Sequence, residues 1–367
     1  MADMAGATGR VTARVDGRRG VVLPLLLLCL LALTAVATVA LHTAAQEVVV
    51  ARAALRLLQA RMNAEGGARA AVAEVKGPRL LALQEGVPEE LLVGALGSDG
   101  HFRVEGHRLR GDFILLESTG SPGGGEGGRS RVGRLVWVLD PVGMVASFRA
   151  ALVHGGSLWG EGAEGGRAAT EPEEWPADVC SGHREALDSI FPFGGIPDAA
   201  SATRDEQGDP TLGILSVEDL IPLSDRIAEG VWTPGPRSDA GACSRETLSN
   251  WGAPSTPGGT CGDFHPLVTS PGSLRLQGGE GQGVLVVTDD LEMAEGAYYA
   301  GLVLVGGDLA LGEHARIDGL VRVRGSVRLE SDATIRGSGC AALKALEAAS
   351  GLGRIFPAPG GSWLGVL

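Results

Sequence analysis

Three consecutive stretches decide the fold: GVLVVTDDLEMAEGAYYA (283–300), GLVLVGGDLALGEHARID (301–318) and GLVRVRGSVRLESDATIR (319–336). Gly283, Gly301, Gly319 and Gly337 recur every 18 residues. The apolar positions superpose with them. Leu285 and Val287 match Val303 and Val305, then Val321 and Val323. Leu291 and Met293 match Leu309 and Leu311, then Val327 and Leu329. Tyr299, Ile317 and Ile335 make a third row, and residues 267–282 fit as a shorter first coil through Leu274 and Leu276. A short period with alternating apolar residues and glycine at a corner predicts a parallel β-solenoid of three-faced coils. Such a stack has open ends that need covering. The apolar positions Ala341, Leu343, Leu346 and Ala349 predict a helix that caps the last coil.

Working outward, the opposite end of the chain carries VVLPLLLLCLLALTAVATVAL, from Val21 to Leu41, 21 residues without a charge. At about 1.5 Å per residue, a helix of that length spans the roughly 30 Å hydrocarbon layer of a bilayer. Arg10, Arg14, Arg18 and Arg19 precede it, which places the leader in the cytoplasm and the bulk outside. Arg52, Arg56 and Arg61 follow the run and pull the other way. A cleaved secretory signal is the competing reading, with its shorter apolar core. The helix is expected to continue beyond the run. Val48, Ala51, Leu55, Leu58 and Met62 form an a/d stripe, suited to another helix or to the protein's own following domain. Gly66 and Gly67 are expected to interrupt it.

The basic leader ending in Gly20, the apolar helix, and a polar helix ending MNAEGGARAA (62–71) resemble the N-terminus of type IV pilin-like proteins. The resemblance is to the PilX-type minor pilins and the K-class pseudopilins of type II secretion, and it covers roughly residues 15–75. It implies cleavage by a prepilin peptidase between Gly20 and Val21, a membrane partner before assembly, and other pilin-like subunits as partners afterwards. Leu25 stands at the fifth position after that bond, where most major pilins carry glutamate. Its absence suits a tip or initiating subunit.

Between the ends, the expected division is a leader (1–20), a transmembrane and pilin-like helix (21–75), a small antiparallel β region (76–154), an irregular turn-rich region (155–264), the solenoid (265–337), and a capping helix with tail (338–367). The fold class is therefore α+β. A short helix is expected near Glu89 to Ala95, strands around Phe102–Leu109, Phe113–Leu116 and 131–140, and a helix over SVEDLIPLSDRIAEG (216–230) with Ser216 and Asp219 as a loose capping box. That helix presents Leu220, Leu223 and Ile227 on one face.

The formal net charge of −13 argues against nucleic acid, whose phosphates demand concentrated Lys and Arg. Of the five cysteines, Cys29 lies in the apolar run. Cys180, Cys243, Cys261 and Cys340 permit two disulfides outside the cell, with Cys243–Cys261 and Cys180–Cys340 as one of three pairings. No CxxC pair suggests zinc, and no GxSxG, HExxH or phosphate-loop motif occurs. Asp289, Asp290 and Asp308 fall at solenoid corners, His314 at another; an enzyme would draw on these, whereas solvated turns are the simpler expectation. Arg129, Arg131 and Arg134 read as a solvated strand face, and His183, Glu185 and Asp188 as a polar helix face. No catalytic residue, cofactor site or metal site is therefore assigned. The segments NWGAP (250–254), GQGVLVV (281–287), GLVLVGGDLAL (301–311) and GCAALKAL (339–346) are similar to a C-terminal module joined to PilX-type N-termini in envelope-anchored bacterial proteins, with a bactofilin-like coil pattern. That resemblance implies architecture and location only.

Overall fold

A computed structural model describes residues 22–97, 100–109, 111–123, 128–148, 150–160, 202–205, 209–358 and 364–366. Helix α1 runs unbroken from Val22 to Glu74. It passes straight through Gly66 and Gly67, which end the apolar stripe without breaking the helix. A glycine in a helix costs about 1 kcal/mol against alanine. Here the two glycines admit close neighbours: a Cβ on Gly67 would lie 2.6 Å from Cδ2 of Phe102, and one on Gly66 would overlap Leu96.

The helix α2 (Gly77–Leu81) follows, then four antiparallel strands, β1 (Glu89–Leu96), β2 (Gly100–Arg108), β3 (Phe113–Pro122) and β4 (Ser130–Val138), in that order across the sheet. The helix expected near Glu89 is thus a strand, because pairing with β2 over seven residue pairs outweighs the local helix preference of Glu-Glu-Leu-Leu. β3 alternates cleanly, burying Ile114, Leu116, Ser118 and Gly120 against α1. The helix meets this sheet with Ala60, Ala64, Ala68, Ala71 and Val75. Small residues let the backbones approach: a Cβ on Gly120 would overlap the Ala60 carbonyl oxygen. The stripe Val48, Leu55, Leu58, Met62 does not dock here. Its members are 48–63 % exposed.

Next come α3 (Pro141–Ser147), β5 (Leu152–His154), β6 (Leu158–Gly160), β7 (Ala202–Arg204), α4 (Val217–Leu220) and a 3-10 turn (Ile221–Leu223). The longer helix expected at 216–230 is cut short. The capping box of Ser216 and Asp219 forms in full, but Pro222 cannot extend an α-helix. The chain enters β8 (Arg226–Ile227) and β9 (Gly230–Trp232), leaving Ile227 half exposed. A hairpin, β10 (Ser238–Asp239) with β11 (Ala242–Cys243), precedes the solenoid.

The solenoid coils are β12 with β13 (Leu267–Ser270, Leu274–Leu276), β14 with β15 (Glu280–Val287, Leu291–Met293), β16 with β17 (Tyr298–Val305, Leu309–Leu311), and β18 with β19 (Arg316–Val323, Val327–Leu329). β20 (Thr334–Gly337) opens the next turn. This is a parallel β-solenoid of about four turns, with an 18-residue register in which Gly283, Gly301, Gly319 and Gly337 stack. The first coil is offset by 17, since Leu274 pairs with Leu291. Two hydrogen-bonded ladders result, with each long strand divided at its glycine. Leu285, Val287, Leu291, Met293, Ala297 and Tyr299 point inward from one coil, and their counterparts 18 residues on do the same.

The region expected to be irregular, 155–264, supplies most of both ends of this stack, with β5 added from the end of the preceding region. β5 and β6 pair in parallel with β18 and β19, and β7 pairs with β5. At the other end β8 and β9 pair with β12 and β13. Beyond them the loop 244–264 forms a plug. Trp251 is fully buried, stacks on Trp232 at 6.1 Å, and fills the column left empty by Gly281. Asn250 organises the loop, its Nδ2 donating to the carbonyls of Arg237 and Ser244. A Cys243–Cys261 disulfide closes it. In the chain-entropy picture a loop of 18 residues loses about 3 kcal/mol of stability when opened. Replacing both cysteines by serine is therefore expected to lower the urea midpoint by that equivalent, and added reductant, which also opens the disulfide of Cys340, to lower the wild type at least as far.

The last helix, α5 (Gly339–Ala348), is N-capped by Ser338, whose hydroxyl accepts from Ala341 N–H. It does not cover an end. Leu343 and Leu346 pack on Val284, Val286, Leu302, Leu304 and Leu320, the outward side chains of the long ladder. Finally β21 (Ile355–Pro357) and β22 (Leu364–Val366) return to pair with β4, so strand pairing crosses the expected boundaries at 154 and 338.

Candidate binding face on the solenoid

Three surfaces of the coil stack differ in what covers them. The outward side of the long ladder after its glycines lies under α3, α4 and α5. Before the glycines it is sealed by polar contacts. Gln282 Nε2 donates to the carbonyls of Gly262 and Phe264. Asp318, 2 % exposed, accepts from Tyr298 Oη at 2.8 Å and from Arg316. Among the described residues, nothing packs on the outward side of the short ladder.

That bare face presents one column of side chains, one per rung: Val231, Arg275, Glu292, Ala310, Arg328 and Trp159. They line an open groove of about 770 Å³. Arg275 pairs with Glu292 at 3.5 Å across adjacent coils. Trp159 at one end is 64 % exposed and Val231 at the other is 60 % exposed. Ala310 leaves a shallow floor between Glu292 and Arg328. Exposed aromatic and aliphatic ends with a charged, compensated middle can take an extended chain bearing both apolar faces and hydrogen-bonding groups.

The acidic corners have structural partners. Asp290 Oδ1 accepts from Asp308 N–H at 2.8 Å, Asp308 Oδ1 accepts from Ser326 N–H at 2.7 Å, and Ser326 Oγ accepts from Ser157 N–H at 3.1 Å. This polar ladder runs along one edge of the groove and links successive turns. Asp289 is an exposed turn residue. His314 has φ of +56° and lies 3.8 Å from the Asp332 carboxylate, well apart in sequence row from the groove column. Arg131 pairs with Glu117 across β3 and β4. No group of three or more His, Cys, Asp or Glu placed to hold a metal occurs among the described residues.

A smaller cleft of about 230 Å³ lies beside the plug, between Arg226, Arg245, Phe264 and His265. Both guanidinium groups sit 5.7 Å from the Phe264 ring. Burial pushes the His265 imidazole below its ordinary value, so it is neutral near pH 7.

Gly20, Val21, His183, Glu185, Asp188 and Cys180 lie outside the described residues. Cys340 is disulfide-bonded, and Cys29 is an exposed free thiol on α1. The sequence drew attention to the corners and missed the groove column, because Trp159 and Val231 come from segments without periodicity. The matching row Arg275, Glu292, Ala310 and Arg328 sits between the inward rows and was available as a signal. Comparison of the chain with protein-family models, with curated proteins and with solved structures found no match.

Proposed function

We propose that this chain is a membrane-anchored, minor pilin-like structural component of a type IV pilus or a related secretion filament, of the PilX-like kind. One observation carries the reading: a single helix whose bare N-terminal part is long and apolar enough to cross a membrane, and whose C-terminal part is wrapped by an antiparallel sheet. The basic leader supports a cytoplasmic N-terminus and an exported bulk, held in the bacterial inner membrane until assembly. In that role the apolar segment leaves the lipid to pack among other subunits' helices, and Leu25 suits an initiating position. The head sheet and solenoid are the displayed part. The likeness of architecture is an analogy of fold, and function rests on what the helix does. Co-expression with a prepilin peptidase is expected to shorten the chain by the 20 residues up to Gly20. An unchanged intact mass overturns the processing step.

A second reading is favoured by the bare groove: a permanently tethered envelope protein whose solenoid binds an extended ligand. It predicts an intact N-terminus, no filament association, and binding lost on Trp159→Ala.

A further inference from the structure

The exposed stripe on α1 has a geometry that the head domain does not explain. Val48, Ala51, Leu55, Leu58 and Met62 are spaced three and four apart, and all are exposed, from just beyond the apolar run to the level of the first sheet contact at Ala60. At about 100° per residue the stripe sits roughly 160° around the helix from Ala60, Ala64, Ala68, Ala71 and Val75, which hold the sheet. The sheet therefore leaves the stripe side open from Val48 to Met62 and reaches it only beyond, where Leu96 packs on Gly66.

We propose that this stripe pairs with the same stripe of a second copy, forming a parallel, in-register two-stranded coiled coil just outside the membrane. Charge selects the partner. With Val48 and Leu55 at a positions and Ala51 and Leu58 at d, Glu47 falls at g and Arg52 at the following e. In a parallel pair in register, Glu47 of each chain faces Arg52 of the other. Both side chains are exposed in the single chain and free to meet. An antiparallel pair loses that match, and two chains anchored in one membrane are parallel already. Leu41 and Ala44 continue the same a/d rows towards the lipid. The inference rests on the membrane part of the proposed function and is independent of the filament part.

The test uses the full chain in bacterial membranes with Cys29→Ser as background. Oxidation of Leu55→Cys or Leu58→Cys is expected to give a species of twice the monomer mass. Ala53→Cys, on the far side of the helix, is expected to give at least several-fold less. Equal crosslinking at Leu55 and Ala53, none at either stripe position, or a ladder running past the dimer overturns the pair. Glu47→Arg is expected to cut Leu55→Cys crosslinking several-fold, and adding Arg52→Glu to restore it; no restoration overturns the register. An alkaline wash of the same membranes separates the premises. Release of the protein defeats the anchor and the pairing with it, whereas retention with crosslinking stands even where prepilin processing fails.

Discussion

Gly301→Ala is expected to prevent the solenoid from closing, with a loss above about 4 kcal/mol, the range reserved for named structural conflicts. Gly301 sits at φ +137°, between Gly283 at +110° and Gly319 at +155°. A Cβ on Gly301 would overlap the Gly283 carbonyl oxygen and stand 3.0 Å from the Gly283 carbonyl carbon. The clash is backbone on backbone, so no rotamer change relieves it. The same overlap recurs one coil above and one below, where Gly319 meets Gly301 and Gly283 meets Pro266. Moving one coil aside would shift the inward columns of its neighbours, which are close-packed. Gly296→Ala is the control. That glycine also has positive φ, +67°, but nothing lies within 4 Å of its missing Cβ. Only conformational strain of about 1–2 kcal/mol is expected there. Urea unfolding of the full chain in detergent, followed by tryptophan fluorescence, separates the two. Similar midpoints for both variants would show that the glycine column is not a steric requirement.

The second large effect is expected from Trp251→Ala. Deleting a fully buried tryptophan costs about 3–5 kcal/mol through lost transfer energy and the cavity left behind. Here the cavity opens into the end of the solenoid interior, over Gly281 and beside Tyr299. The indole N–H also leaves the Leu248 carbonyl without its donor. Limited proteolysis should then cut within residues 233–262 well before the coils are attacked. Trp251→Phe retains most of the plug and is expected to recover more than half of the loss. A midpoint for Trp251→Ala within about 1 kcal/mol of wild type would mean that the end of the stack tolerates water, contrary to the burial of Leu274, Leu276 and Val268 beneath it.

The parts of this fold legible in the sequence are those that repeat a physical requirement. Inward columns need apolar side chains at one spacing, and close coil stacking needs glycine at one position, so the 18-residue register was readable residue by residue. The apolar helix was readable for the same reason. The ends were not. β5, β6, β8 and β9 are two or three residues long. They borrow a ready-made ladder edge, so Arg226 and Gly230 serve as strand residues with no pattern of their own. The docking face of α1 is made of alanines in an alanine-rich helix, where small size and not hydrophobicity is the signal. The flank position of α5 did leave a trace. VLVV (284–287) and LVLV (302–305) are unbroken apolar runs, which mark strands covered on both faces. An end cap would have left their outward residues in water. Where the outward row turns polar, Arg322 lies over the Phe148 ring at 4.9 Å instead. The middle of the groove follows from the repeat register, but its end residues Val231 and Trp159 do not, since they reach it only through the borrowed rungs.

The way the chain closes both ends of its own structure also fixes when it can fold. The bond between Ser157 and Ser326 joins residues 169 apart, and β4 waits for β21 and β22, from the final turn of synthesis. During synthesis the early segments carry open strand edges whose partners do not yet exist. Contacts of such long sequence separation make for slow folding. Completion of both edges therefore waits until nearly all of the chain has been made, and until then the open edge of β4 and the unfinished end rungs are exposed to wrong pairing.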